Sequence, residues 1–294
     1  MPSPPHAPFR YLQALWFQLT GTLCNLECRH CFIACSPTNH RLAFLAPETV
    51  YRYLDEAVQL GVREVYFTGG EPFLHKQILP ILAQALRIAP TTVLTNGTLI
   101  TPSVADALAV LYAESRYSFE IRVSLEDVET ATNDAVRGPG SLAKALRALQ
   151  LLQERGVLPI VAVTEYLYDT NGSSGQLGAG SGFYQKFRDF LLAHGIRKPR
   201  LKVIPVFAMG KLEGSVPLAS YVTPEMLHGF DFDTLQCTKA RVVAADGVYA
   251  CPLLVGEAKA RLSADSLRQA LRPCSLYHTA CHTCYVTGMT CANY

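Results

Sequence analysis

The chain has 294 residues, 49% of them hydrophobic and 17% charged, and a formal net charge of +2. That length suits one α/β barrel, or a core domain with an appendage, and that composition excludes a disordered chain. So small a charge gives no reason to expect nucleic acid or a membrane surface as a partner.

Apolar runs alternate with helical patterns along the first two thirds of the chain. Residues 11–23 are moderately apolar, but Gln13, Gln18, Thr20 and Thr22 dilute them, and Leu23 stands where a lipoprotein cleavage site needs a small residue. No stretch reaches the roughly 18 apolar residues of a membrane span. Residues 13–20 therefore read as a buried strand and the protein as cytoplasmic. Further strands are expected at 63–68, 91–95, 118–124, 158–166 and 200–207, short and rich in Val, Ile, Phe or Tyr, as strands covered on both faces are. Helices are expected at 47–60, which opens on Pro47 and puts Val50, Leu54, Ala57 and Val58 on one face, and at 77–88, 102–114, 141–155 and 182–194. Six such repeats imply a parallel sheet, doubly wound or barrel-like, with ligands at the C-terminal ends of its strands. Residues 171–182 form a Gly/Ser-rich loop after the fifth strand, a surface loop or a lid. Beyond about residue 210 the alternation stops, which divides the chain into residues 1–210 and 211–294.

Ten cysteines fall in two groups: Cys24, Cys28, Cys31 and Cys35, then Cys237, Cys251, Cys274, Cys281, Cys284 and Cys291. A disulfide framework belongs mainly to small secreted domains, so clustered thiols here point to metal. Cys24-Asn-Leu-Glu-Cys28-Arg-His-Cys31 follows the first strand. Three thiolates on one loop can hold three irons of a four-iron cluster and leave the fourth open to a small molecule, whereas most such clusters take four cysteines. Zinc, or plain buried thiols, is the blander account.

The full C-x3-C-x2-C resembles the signature of the radical S-adenosylmethionine (SAM) superfamily, with His30 at the aromatic position that lies near adenine. Other segments are similar in the same order. Thr68-Gly69-Gly70-Glu71-Pro72 looks like the family's GGEP segment, in which glycines admit close backbone approach and Glu71 accepts from the SAM ammonium. Thr95-Asn96-Gly97 ends the third strand; Ser124 ends the fourth, and Arg137-Gly138 follows. The resemblance implies that Asn96, Ser124 and Arg137 contact SAM, an arginine fork suiting a carboxylate, and that residues 11–210 form a partial (β/α)6 TIM-like barrel. Cys35 reads as a spare thiol. Glu165, Cys274 and Cys291 are weak catalytic candidates.

The tail is similar to the auxiliary-cluster region called twitch, or its longer form SPASM, and Ile204-Pro205…Met209-Gly210 to the junction before it. Cys237 is followed by Gly247 and Cys251, with three residues between glycine and cysteine where the family has four, and Cys281-His-Thr-Cys284 supplies a C-x2-C. A full SPASM region needs about eight ligands, so six cysteines imply one auxiliary 4Fe–4S cluster, on Cys237, Cys251, Cys281 and Cys284, with Cys274 and Cys291 as rivals. A structural zinc is the alternative occupant of the tail. Two clusters would bring the chain close to neutral.

The implied activity is reductive cleavage of SAM to a 5′-deoxyadenosyl radical, which abstracts hydrogen from a substrate, with flavodoxin or ferredoxin as an electron donor. The chain starts almost at its first strand, with no added domain to grip a leader peptide. That favours a small molecule, a sugar or cyclitol undergoing dehydrogenation or epimerisation, by an oxidoreductase or epimerase. The alternatives are a maturase acting on a ribosomal peptide and a non-catalytic zinc-binding scaffold.

Overall fold

The computed structural model describes residues 3–164, 182–214, 220–263 and 265–288. Glu165, Cys291 and the loop 171–181 lie outside the described residues. In chain order the strands are β1 (His6–Ala7), β2 (Ala14–Gln18), β3 (Glu64–Thr68), β4 (Thr91–Thr95), β5 (Phe119–Leu125), β6 (Ile160–Thr164), β7 (Leu201–Ile204), β8 (Ala240–Ala244), β9 (Gly247–Tyr249), β10 (Arg261–Ser263) and β11 (Cys274–Ser275). The helices are α1 (Pro47–Gln59), α2 (Ile78–Leu86), α3 (Pro102–Glu114), α4 (Thr130–Arg137), α5 (Ser141–Glu154), α6 (Gly182–Ala193), α7 (Leu267–Ala270) and α8 (Thr279–Thr287).

One nine-stranded sheet runs in the order β10-β9-β8-β2-β3-β4-β5-β6-β7. Strands β2 to β7 pair in parallel and in sequence, with helices between them, as a partial (β/α)6 barrel does. Period-two alternation sorts their side chains into two layers. Leu15 and Phe17 of β2, Val65 and Phe67 of β3 and Val123 of β5 join Val50, Leu54, Leu82 and Leu149 beneath the helices. Ala14, Trp16, Tyr66 and Ala162 face the concave side. There Trp16 stacks on Tyr66 (4.2 Å between centroids, 8° between planes), and the buried Arg122 guanidinium lies 5.6 Å from the Tyr66 ring. This layer fills the barrel below its C-terminal mouth.

The expected strands and helices of the barrel are present: β4 and α3 match their expected bounds, β5 runs one residue further, and most of the others are shorter by one to three residues at an end. Helix α3 begins where Thr101 caps the Val104 amide and Pro102 takes the first turn. Helix α4 is an addition the sequence patterning did not supply. The tail also departs from expectation. Strand β8 pairs in parallel with β2, from Ala14↔Ala240 to Phe17↔Val243, and β9 and β10 extend the same sheet antiparallel. The N-terminal β1 pairs with β11, which carries Cys274. Among the described residues no helix is long and apolar enough to cross a membrane.

Candidate functional site

The C-terminal ends of β3 to β7 surround a cavity with about 900 Å³ of empty space, and the loop after β2 covers one side of it. Its lining includes Cys24, Cys28, His30, Cys31, Cys35, Gly69, Gly70, Asn96, Ser124, Glu126 and Arg137. The sequence-expected contacts are thus brought together, apart from the side chain of Glu71. That carboxylate is fully buried and accepts from Phe73 N (3.0 Å), Thr95 Oγ1 (2.8 Å) and Asn96 N (2.7 Å). It braces the turn behind the two glycines, whose backbone faces the cavity in its place.

The cysteine loop is closed at its base by the Leu23↔Ser36 bridge and the Cys24 N to Ser36 O bond (3.1 Å). Asn25 ties it to the end of β4, donating to Thr98 Oγ1 (2.7 Å) and accepting from Asn96 Nδ2 (2.9 Å). The Arg29 amide donates to Val136 O of α4 (2.9 Å), and the Lys211 amide to Cys31 O (3.0 Å). The close approach of Gly70 leaves no room for a side chain: a Cβ there would lie 2.0 Å from Leu23 O. Burial pushes the Cys24 thiol up to about 12 and raises Cys28 as well. A hydrogen bond from Cys35 lowers Cys31 to about 6 and raises Cys35 in turn. Cys35, expected as a spare, therefore lies against Cys31 on the cavity wall.

Glu126 is the residue that the sequence reading missed. It is 1% exposed and sits just past β5. Its Oε1 accepts from Arg137 Nη1 (2.6 Å) and lies 2.9 Å from His30 Nε2. Burial alone would raise its pKa, but the His30 ring and the Arg137 guanidinium, each in contact with Oε1, outweigh burial and hold the carboxyl below its ordinary range. One carboxylate thus sets the orientation of both the ring and the guanidinium. Residues 124 and 126 share one face of an extended strand end, a signal that period two could have supplied.

Among the described residues no three His, Cys, Asp or Glu side chains gather as they do around a single metal ion. Ligands of a four-iron cluster bind different irons and stand farther apart. Four thiols, a glycine cradle and a buried arginine on one wall fit a thiolate-bound cluster beside an amino-acid carboxylate.

Comparison with known proteins agrees with this geometry. A profile described as the Radical SAM superfamily matches residues 19–170, just over half of the chain. The chain belongs to the radical SAM superfamily. That family implies a 4Fe–4S cluster and SAM. Among radical SAM proteins, the PqqA peptide cyclase of Granulibacter bethesdensis is 30% identical over 138 residues, 46% of this chain and 35% of that protein. The probable GTP 3′,8-cyclase of Methanosarcina mazei is 29% identical over 145 residues, 47% of this chain and 41% of that protein. The match thus spans under half the length of these relatives. The structure of Streptococcus suis SuiB bound to precursor peptide SuiA superposes with a TM-score of 0.62 at 18% identity, covering 86% of this chain and 62% of that one.

This radical SAM chain holds a second thiol-lined cavity in its tail, of about 550 Å³. Cys237, Cys251, Cys274, Cys281 and Cys284 line it, so Cys274 joins the four thiols expected there. A hydrogen bond between Cys237 and Cys274 raises the first and lowers the second, while burial pushes Cys281 up to about 11. The Tyr277 and Ser275 hydroxyls on its wall have buried oxygens without a hydrogen-bond partner among the described residues. Five thiols and two idle donors fit an anionic thiolate-bound group.

Proposed function

We propose that the protein is a radical SAM maturase that modifies a peptide. The observation that carries this reading is the pairing of two thiol-lined cavities in one chain, the first at the barrel mouth and the second in residues 211–294. Similarity to a peptide cyclase supports the substrate class. The expected sugar or cyclitol finds no counterpart among the relatives named above, and the peptide reading replaces it.

In this reading Cys24, Cys28 and Cys31 hold the first cluster, and the tail thiols hold an auxiliary one. With SAM bound, the first cluster supplies a radical able to abstract hydrogen from an unactivated C–H. The chain's own residues position the cosubstrate. Arg137, with its Nη1 held by Glu126, presents its remaining donors to the SAM carboxylate. His30 is fixed through the same carboxylate toward the adenine. Backbone groups of Gly69 and Gly70 would hold the amino group, and Ser124 would serve the ribose. Trp16 and Tyr66 close the floor against water.

The test is anaerobic reconstitution followed by SAM, a reductant and short peptides encoded beside the gene, read by mass spectrometry. The expected result is 5′-deoxyadenosine together with a mass change in one peptide, and transfer of deuterium from labelled peptide into 5′-deoxyadenosine. SAM cleavage that responds to sugars or cyclitols and to no peptide would overturn the proposal. A colourless protein holding only zinc would overturn its radical SAM chemistry.

A further inference from the structure

Arg241 is the second residue of β8 and is 0% exposed. Its Nε donates to Ala270 O (2.7 Å), its Nη1 to Cys237 O (2.8 Å) and Ala240 O (2.6 Å), and its Nη2 to Arg272 O (2.6 Å). The Phe9 ring covers one face, 4.1 Å from the guanidinium carbon. Every one of these partners is neutral. A fully buried cation without a counter-ion costs several kcal/mol, and carbonyl dipoles offset only part of that cost.

The placement of this charge is specific. The Nη1 bond goes to the carbonyl of Cys237 itself, and the Nη2 bond to Arg272, two residues before Cys274. Both cysteines line the tail cavity. Arg241 therefore sits behind the cavity wall and ties together the two segments that bring these thiols to it. Of the other cations nearby, Lys259 on the cavity wall and Arg272 beside Cys274 are exposed, so water and salt screen them, while the buried Lys239, two residues past Cys237, is not part of the cavity's lining. The charge that Arg241 lacks is the charge that a four-thiolate iron–sulfur cluster carries, about −2.

We propose that Arg241 is the fixed counter-charge of the tail cavity: its buried guanidinium stabilises an anionic thiolate-bound cluster there and makes that cluster easier to reduce. This rests on the reading that the tail holds an auxiliary cluster. A buried positive charge favours the state with one more electron, so its removal lowers the reduction potential. Arg241 touches neither substrate nor SAM. It acts as a positioning and potential-setting residue.

The experiment uses the full chain with Cys24, Cys28 and Cys31 replaced by Ala, so that iron remains only in the tail. Iron per chain is counted first, and the midpoint potential is then measured by a redox titration followed by electron paramagnetic resonance. In that background R241Q removes the charge, R241K keeps it, and F9E sets a carboxylate against the guanidinium while leaving its hydrogen bonds in place. R241Q and F9E are expected to shift the reduction equilibrium toward the oxidised cluster by tenfold or more, about 59 mV for one electron. R241K is expected to stay within about threefold of the parent. Unchanged potentials in iron-loaded R241Q and F9E would overturn the proposal, as would an R241K shift equal to that of R241Q. If R241Q does not fold, F9E decides alone. A parent that retains no iron would instead overturn the auxiliary-cluster reading, and the count shows this before any potential is measured.

Discussion

At the barrel mouth four cysteines come from residues 24–35, on one loop closed by a backbone bridge, whereas in the tail five come from segments spread over residues 237–284. The mouth cavity holds a carboxylate shared between His30 and Arg137. The tail cavity is walled by cysteines with Leu and Ala side chains, and the buried arginine behind it donates its hydrogen bonds to carbonyls. The mouth is therefore arranged to admit and orient a charged small molecule. The tail is arranged to hold one anionic group out of water. The proposed function assigns chemistry to the first cavity and electron storage or transfer to the second.

Removing each thiol set separately is the strongest way to break that division. The Cys24, Cys28 and Cys31 to Ala triple variant is expected to lose SAM cleavage entirely and to keep about four irons per chain. A Cys237→Ala, Cys251→Ala double variant is expected to drop to about four irons while still forming 5′-deoxyadenosine. Iron analysis and chromatography of the nucleoside check both. Loss of SAM cleavage in both variants, with the first cluster still loaded, would merge the two roles.

The contrast sharpens at Glu126. Glu126→Ala leaves the buried Arg137 guanidinium without its carboxylate and removes the partner of the His30 ring, and is expected to cost about 3–5 kcal/mol in urea unfolding. The pH dependence has a definite sign. The folded carboxyl is held below its ordinary value, so its contribution is fully present above that value and fades as pH falls through the folded one. Glu126→Gln should flatten this acid limb. Glu71 has the opposite sign, because burial outweighs its three donors and raises its carboxyl. Its contribution is complete at low pH and is lost as pH rises through the folded value, so Glu71→Gln should remove a loss of stability on the alkaline side of the ordinary carboxylate range.

How the two cavities are assembled also explains what could be read from the chain. The thiols of the mouth are local, so spacing alone exposed Cys24, Cys28 and Cys31, and β4 and α3 matched because a β-branched run and a Thr-Pro start mark them. Helix α4 escaped because its sequence, TATNDAVR, is polar, short and uncapped by any side chain; packing against α5 holds it. Glu126 escaped with it, since its partners come from distant segments. Strand β8 was hidden by Arg241 near its start, a charge that propensity places on a surface and that tertiary structure buries here. Cys274 entered the tail cavity through β11, whose pairing with β1 at the opposite end of the chain no local pattern announces.

Gly70→Ala tests how closely the glycine turn and the thiol loop are fitted. The added Cβ would meet Leu23 O at 2.0 Å and Cys24 N at 2.7 Å, both backbone atoms that yield only if the loop moves. A displacement of this kind, near 1 Å, lowers turnover by about 100-fold where reacting groups must be held in line. The expected result is a loss of that order in 5′-deoxyadenosine formation, with the tail's iron content unchanged.

The smallest effect concerns the contact between the two regions. Lys211 Nζ reaches Glu27 Oε1 of the thiol loop at 2.5 Å, but the pair is largely in water, with side chains 32% and 58% exposed. Solvent screening limits such a pair to about 0.5 kcal/mol. The tighter coupling is the backbone: the Lys211 amide donates to Cys31 O, and a Cβ on Gly210 would lie 2.4 Å from Phe32 O. Lys211→Ala should therefore lower the unfolding free energy by about 0.5 kcal/mol, less at high salt, and leave SAM cleavage unchanged. Gly210→Ala should disturb the thiol loop and reduce SAM cleavage. If Lys211→Ala alone impaired cleavage, the tail would be steering the mouth through charge, and contact through the backbone would no longer suffice to describe how the regions communicate.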